Sequence, residues 1–326
     1  MSYSKTAIAK ANAILEKRRS KAERIRLARH MEVTEKIPQI NELEQLLSKT
    51  GLEVVKAIGM GKDADEYIKN LSEHNLAVQA KIKELLISNG YNEDYLKAPF
   101  TCQICNDTGL NGIYFCECRK QLIKEIASSE LATVSKSAEC TFDTFNLDYY
   151  PAPVDSSLGI SPQKRMNDVL NYCKCYAEDF DNQSESLFMY GATGLGKTHL
   201  SLAIANEVVK KGFNVIYDSA QNIFTSLEKE KFSYSNSGER EKEIMDCDLL
   251  IIDDLGSEFI TNFTTAALYN IINTRINRSK PVIISTNLTE EELEAKYTQR
   301  VTSRLIGNYV SILFLGKDIR QLKKNI

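Results

Sequence analysis

No run in this sequence approaches the roughly 20 consecutive apolar residues that a bilayer-spanning helix needs. The first 20 residues carry basic side chains but no apolar core of the kind that marks a secretory signal, so the chain is expected to stay in the cytoplasm. Proline is scarce: there are six in 326 residues, and only Pro38 lies within 4–90, so long helices can run there with little interruption. Internal repeats and low-complexity tracts are absent as well. A net charge of −3 excludes a uniformly basic coat for nucleic acid and leaves any such contact to local patches. Eight cysteines are present, but in a chain without an export signal they meet reducing conditions, so disulfides are not expected.

What is present is enough for a large core. With 43% hydrophobic residues, the length suggests two domains, or one domain with a long appendage. Residues 1–30 hold nine Lys or Arg against Glu16 and Glu23 only. Apolar residues there recur at helical spacing, as in Ile8, Ala11 and Leu15, and further helical stretches surround 43–47 and 64–86. Breaks are expected near Gly51 to Gly61 and at Asn89-Gly90. Such a helical arm either packs on itself or clasps a partner, because an apolar stripe does not reveal what it faces.

From Ser186 onward, short apolar runs alternate with helical segments. The runs 186–190, 214–217, 249–253 and 281–286 read as buried strands, which predicts an α/β layer with a mainly parallel sheet. The expected organisation is a helical N-terminal arm over 1–98, a cysteine-rich module over 99–120, a linker and domain entry over 121–165, and the α/β domain over 166–326.

The segment Gly191-Ala192-Thr193-Gly194-Leu195-Gly196-Lys197-Thr198 has the spacing of a phosphate-binding loop. A strand precedes it and a helix follows, so backbone N–H groups and the helix N-terminus can face phosphates. Lys197 would reach the β and γ phosphates of ATP, and Thr198 would hold Mg²⁺. About 55 residues later, the run Leu249-Leu250-Ile251-Ile252 ends in Asp253 and Asp254. Asp253 is the candidate Mg²⁺ partner, and Asp254 the candidate group for orienting or deprotonating water, although both could simply cap a strand. The strand 282–286 ends in Asn287 at the same sheet edge, where it could sense the γ-phosphate.

Cys102-x2-Cys105 and Cys116-x-Cys118 supply four thiolates near enough in sequence to wrap one tetrahedral ion. Gly109 and Gly112 permit a tight turn between the pairs. Structural Zn²⁺ is the favoured occupant, and bare spacing leaves an iron–sulfur cluster open.

Taken together, these residues resemble the AAA+ ATPases, and within them the DnaC/DnaI-type helicase loaders and the related IstB-type transposition ATPases. The resemblance covers roughly 141–326. It rests also on Phe142-Asp143-Thr144-Phe145, Asp253-Asp254-Leu255-Gly256-Ser257-Glu258, Ser285-Thr286-Asn287-Leu288, Arg300-Val301-Thr302-Ser303-Arg304 and Gly316-Lys317-Asp318-Ile319-Arg320. It implies an AAA+ ATPase with its nucleotide at a subunit interface, Asn287 as sensor 1, Arg320 as the sensor 2 arginine of the same subunit, and Arg304 as the finger from a neighbour. Arg300 is a rival for that last role. One departure stands out: many AAA+ ATPases place Glu where this sequence has Asp254. The resemblance implies slow hydrolysis alone, self-assembly through the ATPase domains, and two partners, a hexameric replicative DNA helicase and single-stranded DNA. The alternatives are an IstB-like transposition helper and an adaptor that uses nucleotide only as a switch.

Overall fold

The computed structural model describes residues 5–58, 64–133, 139–154, 159–232 and 238–322. The chain forms two compact units, Asn12–Lys120 on the one hand, and Gln121–Ile326 together with Met1–Ala11 on the other.

The smaller unit is led by three helices, α1 (Lys5–Lys36, whose first turns belong to the other unit), α2 (Pro38–Ile58) and α3 (Ala64–Ser88). Pro38 opens α2, a position where its missing N–H costs nothing. The helix runs through Gly51, at the start of the span from Gly51 to Gly61 over which a break was expected, and ends at Ile58 within that span; residues 59–61 lie outside the described residues. An interior glycine costs only about 1 kcal/mol, and Leu52, Glu53, Lys56 and Ala57 around it favour helix. The α3 helix stops as expected: Tyr91 N–H bonds Leu86 O, Gly90 N–H bonds Ile87 O, and Gly90 takes the left-handed conformation of a Schellman end. Val33, Ile37, Ile40 and Leu86 form a small buried core. Over it, the Glu32 carboxylate accepts from the hydroxyls of Tyr91 and Tyr95, each at 3.0 Å. The unit ends in a short hairpin, β1 (Leu110–Asn111) against β2 (Tyr114–Phe115), and the start of α4 (Glu117–Thr133).

In the larger unit, α5 (Pro162–Asp179) leads into alternating strands and helices. These are β3 (Ser186–Tyr190), α6 (Lys197–Lys210), β4 (Val215–Ser219), α7 (Ala220–Phe232), α8 (Glu239–Asp246), β5 (Leu249–Leu255) and α9 (Asn262–Asn277). They continue as β6 (Val282–Thr286), α10 (Glu290–Tyr297), α11 (Gln299–Asn308), β7 (Tyr309–Leu313) and the short α12 (Ile319–Leu322). The five strands β3–β7 form one sheet in the order β4-β5-β6-β3-β7, with every pairing parallel. Four of them fall where the apolar runs predicted. The fifth, β7, was not foreseen.

Parallel strands are covered on both faces, and period 2 sends neighbouring side chains to opposite cores. Leu249 and Ile251 join one core with Leu200 and Ile204 of α6 and Met166 of α5. Leu250 and Ile252 join the other with Ile223 of α7 and Leu268 of α9. Among the described residues, no helix is long and apolar enough to cross a membrane.

Arg275 of α9 is wholly buried, and its guanidinium closes the backbone at the N-terminal end of β5. It donates to the carbonyls of Ile244 at 2.8 Å, Cys247 at 3.1 Å and Pro281 at 2.7 Å. An apolar residue there would take the donor from Cys247 O and leave Ile244 O and Pro281 O with only their longer bonds, from Cys247 Sγ at 3.4 Å and Leu250 N–H at 3.3 Å, in a dry site. Arg275→Leu is therefore expected to lower stability by about 3 kcal/mol, read as a fall in the urea midpoint at unchanged slope.

Candidate nucleotide site and metal centre

The glycine-rich loop joins β3 to α6 at the C-terminal edge of the sheet, the edge at which open α/β sheets hold ligands. Gly191 has φ 139, and a Cβ there would lie 2.5 Å from the carbonyl oxygen of Phe314. At Gly194 a Cβ would meet the Asp318 carboxylate, while Ile319 N–H bonds Gly194 O at 3.1 Å. Two loop positions thus lie against the segment following β7. The first residue of α6 is Lys197, and its N-cap, Gly196, provides no side-chain cap. The helix's first N–H groups therefore remain open to an anion. Lys197 Nζ donates to Gly191 O and Ala192 O, both at 2.7 Å. Burial pushes its ammonium below the ordinary lysine range, and Asp254 and Asp253 oppose that shift.

Asp253 is nearly buried, and three hydroxyls converge on it. Thr198 Oγ1 donates to Oδ2 at 2.9 Å, Tyr217 OH to Oδ2 at 2.7 Å, and Ser285 Oγ to Oδ1 at 2.5 Å. Asp254 follows in the left-handed region at φ 56, with its N–H bonded to Ser285 Oγ at 2.9 Å. The pairing explains this conformation. Ile252 faces Ile284 and Leu255 faces Thr286, so Asp253 and Asp254 together oppose the single residue Ser285. That is a β-bulge, a device that re-aims side chains beside active sites. In a regular strand the two carboxylates would lie on opposite faces. Here both line one cleft of about 1000 Å³.

The same cleft is lined by the loop from Thr193 to Thr198, by Asn287 and by Arg320. It therefore collects most of the residues picked out in the sequence. Arg304 is not among its lining residues. It lies in α11, stacked 4.6 Å over the ring of Tyr269, with Nε bonded to Asn273 Oδ1 at 3.2 Å and Nη1 to Arg300 O. Arg300 is exposed.

Several cleft residues escaped the sequence reading. Tyr217 reaches Asp253 only through strand register, which leaves no local signal, and Ser285 was visible as part of a motif but not as a partner of Asp253. Phe145, Tyr150 and His199 also line the cleft. Phe145 stacks on Tyr150 and meets the His199 ring edge-on, and Tyr150 OH donates to Leu195 O at 2.9 Å. Phe145 was visible as part of a motif, but its place beside the loop was not.

In the smaller unit, the four sulfurs of Cys102, Cys105, Cys116 and Cys118 all lie within 4.8 Å of one another. Cys102 and Cys116 are 3.8 Å apart, and Cys105 and Cys118 3.4 Å. A tetrahedral ion with metal–sulfur bonds of about 2.3 Å needs sulfur pairs about 3.8 Å apart, so the set can hold a metal ion. The buried Asp107 braces the loop by accepting from the N–H groups of Thr101 and Cys102.

A parallel sheet of this order, a glycine-rich loop at a helix start and an acid pair on the adjacent strand but one define a P-loop nucleotide-binding domain. Residues 164–306 match the family described as IstB-like ATP binding protein, and the chain carries an IstB-like ATP-binding domain with homology to the DnaC helicase loader. The replicative helicase loader DnaC of Escherichia coli strain K12 is 28% identical over 151 residues, 45% of this chain and 60% of that protein. The chromosomal replication initiator protein DnaA of Aliarcobacter butzleri strain RM4018 is 26% identical over 268 residues, 79% of this chain and 58% of that one. A crystal structure of the DnaC helicase loader superposes with a TM-score of 0.47 at 21% identity, covering 56% of this chain and 100% of that one. The chain thus spans about 60% of the length of the loader relative.

The contact at Gly191 is a testable feature of the loop. Gly191→Ala would drive a methyl into a backbone carbonyl at a φ that side chains rarely adopt. A loss of about 2 kcal/mol or more is expected, with weakened ATP binding, measured by thermal melts with and without nucleotide.

Proposed function

We propose that this protein loads a replicative DNA helicase onto single-stranded DNA and that ATP controls the exchange. The observation that carries this reading is the DnaC homology of an ATP-binding domain in a chain that also has a separate helical and cysteine-rich unit. In this reading the helical unit grips the helicase, and the ATPase domains assemble with one another beside the DNA.

At the nucleotide, Lys197 neutralises the β and γ phosphates, and backbone N–H groups of the loop hold the phosphate oxygens. Thr198 and Asp253 would hold Mg²⁺, which would supply charge neutralisation between the phosphates. Their hydrogen bond, at 2.9 Å, already brings their oxygens together. Asp254 orients the attacking water and accepts its proton, and Asn287 and Arg320 face the γ-phosphate from the same chain. Arg304 acts in a neighbour's site, consistent with its position away from its own cleft. Supplying that positive charge in trans ties hydrolysis to assembly.

For the cysteine centre we propose Zn²⁺ in a closed four-thiolate shell, with a purely structural role. Purified protein should carry one zinc per chain by elemental analysis and lack visible absorption. Iron with a broad visible band would replace that assignment.

The loader reading predicts that the full chain captures the host's hexameric helicase in a pull-down, and that ATP changes the amount retained. Lys197→Ala should reduce ATP affinity by at least tenfold, about 1.4 kcal/mol, and abolish the ATP effect on capture. Absence of helicase capture with and without ATP would discard the loader. ATP-dependent retention of duplex DNA and a transposase would then favour the IstB-like helper, whereas ATP binding without turnover would favour the adaptor.

A further inference from the structure

Ser285 follows the apolar run Val282-Ile283-Ile284 within β6 and is only 1% exposed. A buried hydroxyl is costly unless it is hydrogen-bonded, and both bonds found here go to the acid pair: Oγ donates to Asp253 Oδ1 and accepts from Asp254 N–H. We infer that Ser285 is a positioning residue for ATP hydrolysis, pinning the β5 bulge so that both carboxylates serve one cleft. This inference rests on the hydrolytic reading given above.

The pin acts on each acid differently. By holding Oδ1 of Asp253, it leaves Oδ2 as the oxygen that meets Thr198, and so fixes which lone pairs face the metal position. For Asp254 it acts through the backbone. A left-handed non-glycine residue is strained, and Asp254 is kept there by its N–H bond to Ser285 and by its carbonyl, which accepts from Ser257 N–H at 3.2 Å and Ser257 Oγ at 2.8 Å. Without the Ser285 hydroxyl the N–H loses its partner. Regular pairing then competes with the bulge, and regular pairing would turn the Asp254 carboxylate away from the cleft.

The same geometry accounts for aspartate where many AAA+ ATPases have glutamate. Aspartate tolerates the left-handed region better than most residues with a side chain. A bulge that carries the carboxylate toward the cleft by its backbone also needs less side-chain reach.

The test is steady-state phosphate release from ATP by the full chain, with single-stranded DNA and the helicase present, for wild type, Ser285→Ala, Ser285→Cys, Asp254→Ala and the double variant Ser285→Ala/Asp254→Ala. Ser285→Ala is expected to lower kcat by about tenfold or more while KM for ATP changes by less than about threefold. Ser285→Cys keeps the volume with a poor hydrogen-bonding group, and it is expected to lose turnover similarly should the alanine variant fail to fold. Since part of the action of Ser285 passes through Asp254, the combined loss in the double variant should be smaller than the product of the two single losses. A folded Ser285 variant with kcat within twofold of wild type, a loss confined to KM, or additive losses in the double variant would overturn the inference. Lack of turnover in wild type would instead remove the hydrolytic reading, and the role of Ser285 with it.

Discussion

A carboxylate shut away from water must have its lone pairs filled, and Asp253 is nearly buried at the bulge in β5. Its partners come from three different elements: Thr198 from α6, Tyr217 from β4 and Ser285 from β6. The helix that begins the phosphate site is therefore tied to the strands on both sides of β5 through one side chain. A metal bound between Thr198 and Asp253 would take over lone pairs that hydroxyls now occupy. In the proposed function, filling the site would therefore exchange bonds that already exist for bonds to the ion.

That convergence depends on sheet order, and sheet order was only partly legible. The strands 249–253 and 281–286 could be read because doubly covered parallel strands are apolar on both faces, giving continuous runs such as Leu249-Leu250-Ile251-Ile252. Tyr309–Leu313 has Ser311 at its centre and pairs on one side only, as an edge strand, so its apolar signal is broken. The phosphate loop could be read because its chemistry is packed into eight consecutive residues. The contacts of Tyr217 and Ser285 with the acid pair could not, since they come from pairing across the sheet, Ser219 opposite Asp253 and Ser285 opposite the bulge. The cysteine cluster lies between these cases. Its spacing was visible, but the bracing carboxylate of Asp107 was hidden in a loop with no motif.

Helix continuity gave the opposite lesson. Within the span from Gly51 to Gly61 over which a break was expected, α2 passes through Gly51 and ends only at Ile58, because a single interior glycine costs a helix no more than about 1 kcal/mol. Gly90 ends its helix because the chain there closes two backbone bonds that only a left-handed residue allows. Glycine marks a boundary when a specific hydrogen-bond pattern requires it, and the residue type alone does not.

The segment after β7 brings the last elements together. Phe314 continues the strand by bonding Tyr190 O, its own carbonyl sits against Gly191, and Asp318 and Ile319 meet Gly194. Arg320 follows immediately and lines the cleft. The phosphate loop and the arginine are thus joined by backbone contacts, without any long side chain between them. A loop that shifts to admit phosphates must carry this segment with it or break the Ile319–Gly194 bond. The two glycines that open the loop to phosphate are also the points at which it is coupled to the rest of the domain.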